Sequence, residues 1–406
     1  KHHHRLPKTI DAIKGSMYVD DLLLTAATPG DAAVLQQTAD SIFTQGSFHV
    51  SKWLSNSGEA LYQVPPEDLT AHTTKVLGEK NISITPDAIT STLGMVWDSL
   101  TDTFQYKGVH EITTMADQET MRTLASRGAK MWDPLGLASP FIIVAKLLMQ
   151  QCWKKHLKWD DELPEDIYKE WKAWCQDAAV MIDFRVPRTL ISGQPYWDIH
   201  MFTDASERSS ACCAYIRTIS DEGKVVVNLA MAKTKLASLK ANTIPRLELL
   251  GALLGARLAR KVQSALYQKS DRVTLWCDSM TALQWIRKPP TTWRTYVGNR
   301  VAEIQHSYDA KAFHFVPGTQ NPADFATRGK RAGQMLESSE WVRGPAFLYQ
   351  ATRDWSKHQP SEEETAESKA EIKPEVPLTF LNVEEKDLID QVFLNIRPFW
   401  VNLRIY

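Results

Sequence analysis

The stretch that most constrains this chain is Phe202-Thr203-Asp204-Ala205-Ser206, an apolar run that ends on a carboxylate. Residues 197–203 read as a strand delivering Asp204, and residues 272–277 read as a second strand delivering Asp278. The strand period of two puts Phe202 and Asp204 on one face, with Met201 and Thr203 on the other. If the two strands lie side by side and parallel, both carboxylates emerge at the C-terminal edge, where open α/β sheets carry their chemistry.

Two further acids complete the pattern: Glu248 in IPRLELLGALLGARLA and Asp324 in VPGTQNPADFATRG. A helix is expected from Ile244-Pro245, with proline suited to its first turn, to about residue 266. Leu247, Leu250, Leu254, Leu258 and Val262 form its apolar stripe. Glu248 heads a stripe of small residues, Ala252, Gly255 and Ala259, which lets the helix approach the sheet and brings Glu248 to Asp204. Asp324 opens a helix after the loop at 318–322. Taken singly, a first-turn Glu is favoured by the helix dipole and an N-terminal Asp by capping. Taken together, four acids in one place repel each other unless a cation joins them, and hard, oxygen-seeking Mg²⁺ suits that role. Carboxylates that hold two such ions are standard equipment for phosphodiester hydrolysis, with Mn²⁺ as a substitute.

Around these residues the pattern gives strands at 196–204, 211–219 and 224–232, with a turn at Asp221-Glu222-Gly223. The helix at 244–266 follows, then the strand to 277, helices at 280–286 and 296–306, and a last strand at 313–316. Asp204, Glu248, Asp278 and Asp324 resemble the D-E-D-D carboxylates of ribonuclease H. The flanking text, IPRLELLGA and VPGTQNPADFATRG, is similar to the version in BEL/Pao retrotransposon polyproteins.

The resemblance extends in both directions. Met17-Tyr18-Val19-Asp20-Asp21 is similar to the YVDD hairpin of a reverse-transcriptase palm, residues 48–53 to the next palm segment, and residues 93–98 to the primer-grip strand. Residues 132–140, WDPLGLASP, resemble that family's connection region, and Trp341-Val342-Arg343-Gly344-Pro345 its post-nuclease stretch. An isolated Asp-Asp pair is usually a plain hairpin turn; the order of the following segments favours the palm. The resemblance implies a multidomain α/β and α+β chain. Its parts are a truncated palm (1–110), a helical connection (111–190), and a ribonuclease-H-like domain (191–332) with a mixed five-stranded sheet and flanking helices. An extension (333–355) and a disordered acidic linker and tail (356–406) complete it.

It further implies hydrolysis of the RNA strand of an RNA–DNA hybrid. Asp204 and Asp278 would hold the metals centrally, Glu248 one metal with substrate contacts, and Asp324 the other with the attacking water. Many ribonucleases H carry a histidine in the loop before the last acid. Here residues 318–322 have none, and His314 sits inside the strand. The palm needs a further aspartate on an earlier strand, so polymerase activity is not expected from this chain alone. Implied partners are the hybrid and the rest of the Pol polyprotein: fingers and palm upstream, integrase downstream. The implied location is cytoplasm, nucleus or virus-like particle, with no secretion and no membrane. Two rivals are a catalytically dead nucleic-acid-binding remnant and an aspartic peptidase, a name also attached to this region of the family. The second lacks the D-T-G or D-S-G turn that its paired aspartates use.

Composition adds limits. Lys+Arg 47 against Asp+Glu 48 gives a net charge of −1, so basic character must be local. Its clearest cluster, Arg328, Lys330 and Arg331, follows Asp324 where a phosphate backbone would pass. The five cysteines show no metal-ligand spacing and read as reduced core thiols. No apolar run approaches membrane-spanning length. The first residue is Lys, which leads to the expectation of a longer reading frame. Helices are expected at 31–43 after a turn at Pro29-Gly30, and at 111–125, 140–151, 165–179 and 384–394. The tryptophans of 165–179 read as core.

Overall fold

Residues 199–203 and 211–216 are largely apolar on both strand faces, and the chain buries them as the centre of a two-sided core. The computed structural model describes residues 7–18, 20–70, 73–75, 82–84, 89–92, 95–106, 109–191, 196–239, 242–266, 272–352, 355 and 363–374. Residues 1–371 make one compact unit.

Helix α1 (Pro7–Ser16) leads into a short hairpin, β1 (Met17–Tyr18) and β2 (Asp21–Leu22), with Tyr18 opposite Asp21. Helix α2 (Pro29–Gln45) corrects one expectation, because Pro29-Gly30 is its first turn rather than a separate one. The reason is local: Thr28 accepts from the Asp31 amide at 3.1 Å, and proline suits the first helical position. Strands β3 (Thr73–Lys75) and β4 (Ile82–Ile84) pair with each other. A four-stranded sheet follows in the order β5 (Ile89–Thr92), β6 (Met95–Asp98), β7 (Thr103–Gln105) and β8 (Val186–Pro187). Since β8 lies beyond the connecting helices, that region closes back on the strands before it. Arg188 fixes the closure by gripping Asp102 at 2.6 and 3.1 Å.

The helix expected at 111–125 is two, α3 (Val109–Thr113) and α4 (Met121–Gly128). A buried carboxylate causes the break. Glu119 is 3% exposed and accepts from the Ala116 amide at 2.7 Å, Arg127 at 2.5 Å and the Trp171 indole at 2.9 Å. Thr120 then caps α4 through a reciprocal bond with Thr123. Helices α5 (Ser139–Lys154) and α6 (Glu165–Asp177) complete the connection. Trp171 and Trp174 are buried and stacked at 5.0 Å, as their core reading requires.

The ribonuclease-H-like sheet has the order β11-β10-β9-β12-β13. Its strands are β9 (Tyr196–Ala205), β10 (Ser209–Ile219), β11 (Val225–Leu236), β12 (Val273–Cys277) and β13 (Phe313–Phe315). The first three are antiparallel neighbours, while β12 runs parallel to both β9 and β13. One face, with Ile199 and Met201, packs under α7 (Ile244–Ala265), α8 (Met280–Arg287) and α9 (Thr295–Ser307). The other face, with Phe202 and Tyr215, packs against Phe141, Trp171 and Trp341. Asp324 lies in α10 (Ala323–Arg328); the short helices α11 (Ala332–Glu337) and α12 (Glu340–Arg343) follow it.

The linker expected to be disordered holds an ordered piece. Helix α13 (Ala366–Ala370) is capped by Thr365, which accepts from the Ser368 amide at 3.1 Å, and Ser368 is fully buried. Residues 356–362 and 375–377, the expected helix at 384–394, Val19, residues 93–94 and most of the boundary loop at 192–195 lie outside the described residues. All five cysteines are buried and unbridged. Among the described residues no helix is long and apolar enough to cross a membrane.

Candidate active site

In the parallel pairing of β9 and β12, Thr203 is opposite Cys277. The next residue on each strand is an aspartate, so Asp204 and Asp278 leave adjacent strand ends side by side. Asp204 still belongs to β9 and pairs with Ala211 of β10, which fixes its backbone on that side. Helix α7 brings the third acid. Its approach depends on missing side chains: a Cβ on Gly251 would lie 2.9 Å from the Asp204 carbonyl oxygen, and one on Gly255 2.3 Å from Thr203 Cγ2. That contact seats Glu248, one turn from Gly251, over the strand ends.

The fourth acid arrives through the loop after β13. Asn321 donates to the Thr203 carbonyl at 3.0 Å and hydrogen-bonds the Asp278 carboxylate. The loop comes so close that a Cβ on Gly318 would sit 3.3 Å from Asp278 Oδ2. In α10 the Thr327 hydroxyl donates to Asp204, and Arg328 pairs with Asp324 within the same helix. Ser279 caps α8, accepting from the Ala282 amide at 3.2 Å, and also hydrogen-bonds Glu248. Thr327, Asn321 and Ser279 were not singled out by sequence reasoning. Each lies within three residues of a marked aspartate, and that proximity was the only signal available.

The acids feel one another. Burial pushes the Asp204 carboxyl up, the Thr327 hydroxyl opposes the rise, and Asp324 adds to it. Burial likewise raises Glu248, with the Ser279 bond opposing and the Asp204 charge reinforcing. Asp278 is raised to about 7, first by burial and then by Asp204, with Asn321 opposing and Glu248 adding a little. The Asp204 charge thus raises its strand-end neighbour, so the pair resists carrying two charges without a cation. Among the described residues no Lys or Arg forms an ion pair with Asp204, Glu248 or Asp278, while Arg328 takes Asp324.

An oxygen-only, uncompensated donor set of this kind fits a hard divalent cation. As the side chains stand, no three of them among the described residues are drawn close enough together to ligate one ion. Asp324 in particular is paired with Arg328. Of the basic residues expected to meet phosphate, Arg328 and Arg331 are exposed, and Lys330 lies with its ammonium 4.5 Å from the Phe325 ring centre. His314 faces solvent on β13 beside Trp276. Asp20 and Asp21 are exposed in the β1–β2 hairpin, a separate location in the chain that none of these contacts joins to the cluster.

Mixed sheet, flanking helices and edge carboxylates define a ribonuclease-H-like domain. Residues 120–279 match the family model described as "Pao retrotransposon-like RNaseH-like domain". Over that stretch the chain is similar to the RNase-H-like domain of Pao-type retrotransposons. The match spans helices α4 to α6 and reaches Asp204, Glu248 and Asp278, but stops short of Asp324.

Two solved structures are similar to it at low identity. One is the foamy viral protease-reverse transcriptase dRH in complex with ds DNA, at 12% identity and TM-score 0.42, over 77% of this chain and 48% of that one. The chain thus spans about half of that viral protein. The other is RNase H1 from the halophilic archaeon Halobacterium salinarum NRC-1, at 12% identity and TM-score 0.20, over 31% of this chain and 89% of that one. No curated protein matches the sequence.

Proposed function

We propose that this domain hydrolyses the RNA strand of an RNA–DNA hybrid with two Mg²⁺ ions. The observation that carries the reading is the Thr203–Cys277 register, which delivers Asp204 and Asp278 to one point of the sheet edge. Glu248 and Asp324 bear on the same point through their charge. Asp204 and Asp278 would hold the ions centrally, with Glu248 on the side of α7 and Asp324 on the side of α10. When bound, the metals would supply charge neutralisation at the scissile phosphate and a polarised, more acidic water as nucleophile.

The chain's own residues do the positioning. Thr327 orients the Asp204 carboxylate, Asn321 ties the loop at 318–322 to Asp278 and to the β9 backbone, and Ser279 sets Glu248. A hybrid would be read by shape and by its 2′-hydroxyls rather than by base sequence. Arg328, Lys330 and Arg331 would meet its phosphates. The β1–β2 hairpin with Asp20 and Asp21 is read as the palm-type part of the same Pol chain, ahead of the connection and the nuclease.

A nucleic-acid-holding remnant without hydrolysis is the second reading, favoured by the Arg328–Asp324 pair that keeps one acid occupied. Incubating the protein with a labelled hybrid and Mg²⁺ beside an Asp278→Asn variant separates the two. Cleavage by the parent alone supports the nuclease. Binding by a folded parent without cleavage in Mg²⁺ or Mn²⁺ overturns it.

A further inference from the structure

Residues 363–371 carry Glu363, Glu364, Glu367 and Glu371 against Lys369 alone, and they are seated against α7, α8 and Arg294. The Glu371 carboxylate meets Arg246 at 2.7 Å, and its carbonyl accepts from the Arg294 amide at 2.8 Å. Glu364 pairs with Lys288. Gln284 donates to the Glu363 carbonyl at 2.6 Å and accepts from the Thr365 amide at 3.0 Å, while the Thr281 and Thr365 hydroxyls lie 2.9 Å apart.

The place matters as much as the contacts. Arg246 is in the first turn of α7, two residues before Glu248, and Thr281 is in the first turn of α8, three residues after Asp278. The segment therefore touches the first turn of α7 and runs along α8 from Thr281 to its C-cap Lys288, beside the stretches that carry Glu248 and Asp278. A polyanion lying across the acids must run along one of their flanks, and Arg246, Lys288 and exposed Arg294 are the cations it would meet there. Glutamates now occupy the first two. Arg246 also lies 4.8 Å from the Tyr296 ring centre, with Arg300 at 3.5 Å from the same ring, so the cationic surface is built around an aromatic plate. The seat is imperfect: Glu371 Oε2 and Ser368 Oγ are buried with no hydrogen-bond partner among the described residues. Unsatisfied buried groups favour a contact that can open.

We propose that residues 363–371 form an acidic strap occupying a nucleic-acid phosphate surface made by Arg246, Lys288 and Arg294, and that a hybrid must displace it to reach the acids. The proposal rests on the nucleic-acid reading above. It makes the strap an internal competitor whose charges stand in for backbone phosphates. Because the strap is tethered, it competes at high effective concentration and holds hybrid affinity down.

The Thr281→Cys/Thr365→Cys protein tests this, since the two hydroxyls lie 2.9 Å apart and the native thiols are all buried; formation of the bridge is confirmed by thiol titration. Hybrid affinity is measured by fluorescence anisotropy on the oxidised and the reduced protein. The bridged form is expected to bind about tenfold more weakly than the same protein reduced. In the unbridged chain, Glu364→Gln/Glu371→Gln should tighten binding relative to the parent. Equal affinity in both redox states, with hybrid clearly bound, overturns the strap and leaves the nuclease reading standing. No tightening in the glutamine variant has the same force. Failure of every form to bind hybrid overturns both.

Discussion

Arg328 holds Asp324 one helical turn away in α10, and that pair decides where the fourth carboxylate spends its charge. The guanidinium is 74% exposed and the carboxylate 29%, so the pair is a solvent-screened one of the kind that contributes about 0–1 kcal/mol. A divalent ion at the cluster can outbid it. Arg328→Gln should therefore lower the Mg²⁺ concentration needed for half-maximal hybrid cleavage by a few-fold. The same change should weaken hybrid binding and reduce the salt slope by about one. A metal titration at several salt concentrations reads both effects; if neither moves, the pair is an inert surface contact.

The raised carboxyl of Asp278 gives a stability signature. Asp278 is raised from the ordinary carboxylate range to about 7, and Asp204 and Glu248 are raised in the same direction. Between the unfolded value and the folded one, the native state holds protons that the unfolded chain releases. Stability from this source is present at acid pH and is lost as pH rises toward 7. In metal-free buffer the parent's Tm should fall between about pH 5 and about pH 8, and the Asp278→Asn variant should show a shallower fall. Added Mg²⁺ or Mn²⁺ should restore the parent chiefly at the alkaline end, since binding at a hundredfold excess over Kd adds about 2.7 kcal/mol. A flat parent profile, or equal metal shifts in parent and variant, would remove Asp278 from the site.

Close packing of α7 on β9 yields a test that touches no carboxylate. A Cβ at position 255 would fall 2.3 Å from Thr203 Cγ2 and 3.3 Å from Met201 Cγ, one residue from Asp204. Gly255→Ala must push the helix outward, carrying Glu248 with it. Overpacking of this kind costs about 1–3 kcal/mol. Hybrid cleavage should drop about tenfold or more, since misplacement by an ångström is costly to catalysis. Gly223→Ala is the comparison, because a Cβ there meets nothing within 4 Å, though its φ of 80° adds local strain. Loss of activity with the second and not the first would place the packing argument in error.

Much of this arrangement was legible because it follows from periodicity. Strand alternation set the two faces at Phe202 and Thr203, proline at 245 marked the start of α7, and the small stripe at Ala252, Gly255 and Ala259 marked its close side. The parallel pairing of β9 with β12 was only a condition of that reading, and the Thr203–Cys277 register supplies it. What pattern could not reach depends on pairs far apart in sequence. Glu119 breaks a helix only because Arg127 and Trp171 come to it in the fold. Thr327 matters through Asp204, 123 residues away. The acidic stretch near 363–371 has the composition of a disordered linker, and it takes contacts from Arg246, Thr281, Gln284, Lys288 and Arg294, all distant in sequence, to make it an ordered strap.

Trp341 tests whether the stretch after the nuclease is part of its core. Its side chain is 1% exposed, its indole donates to the Leu137 carbonyl at 2.7 Å, and its own carbonyl accepts from Tyr215 at 2.8 Å. One residue thus ties the extension to the connection helices and to strand β10. Trp341→Ala leaves a cavity and an orphaned carbonyl, which together should cost about 3–5 kcal/mol. Trp153→Ala, at a side chain 45% exposed, should stay within about 0.5 kcal/mol of the parent. Urea unfolding followed by tryptophan fluorescence measures both. A small change at Trp341, or an early separate transition in the parent for the extension, would mean that it rests on the domain without supporting it.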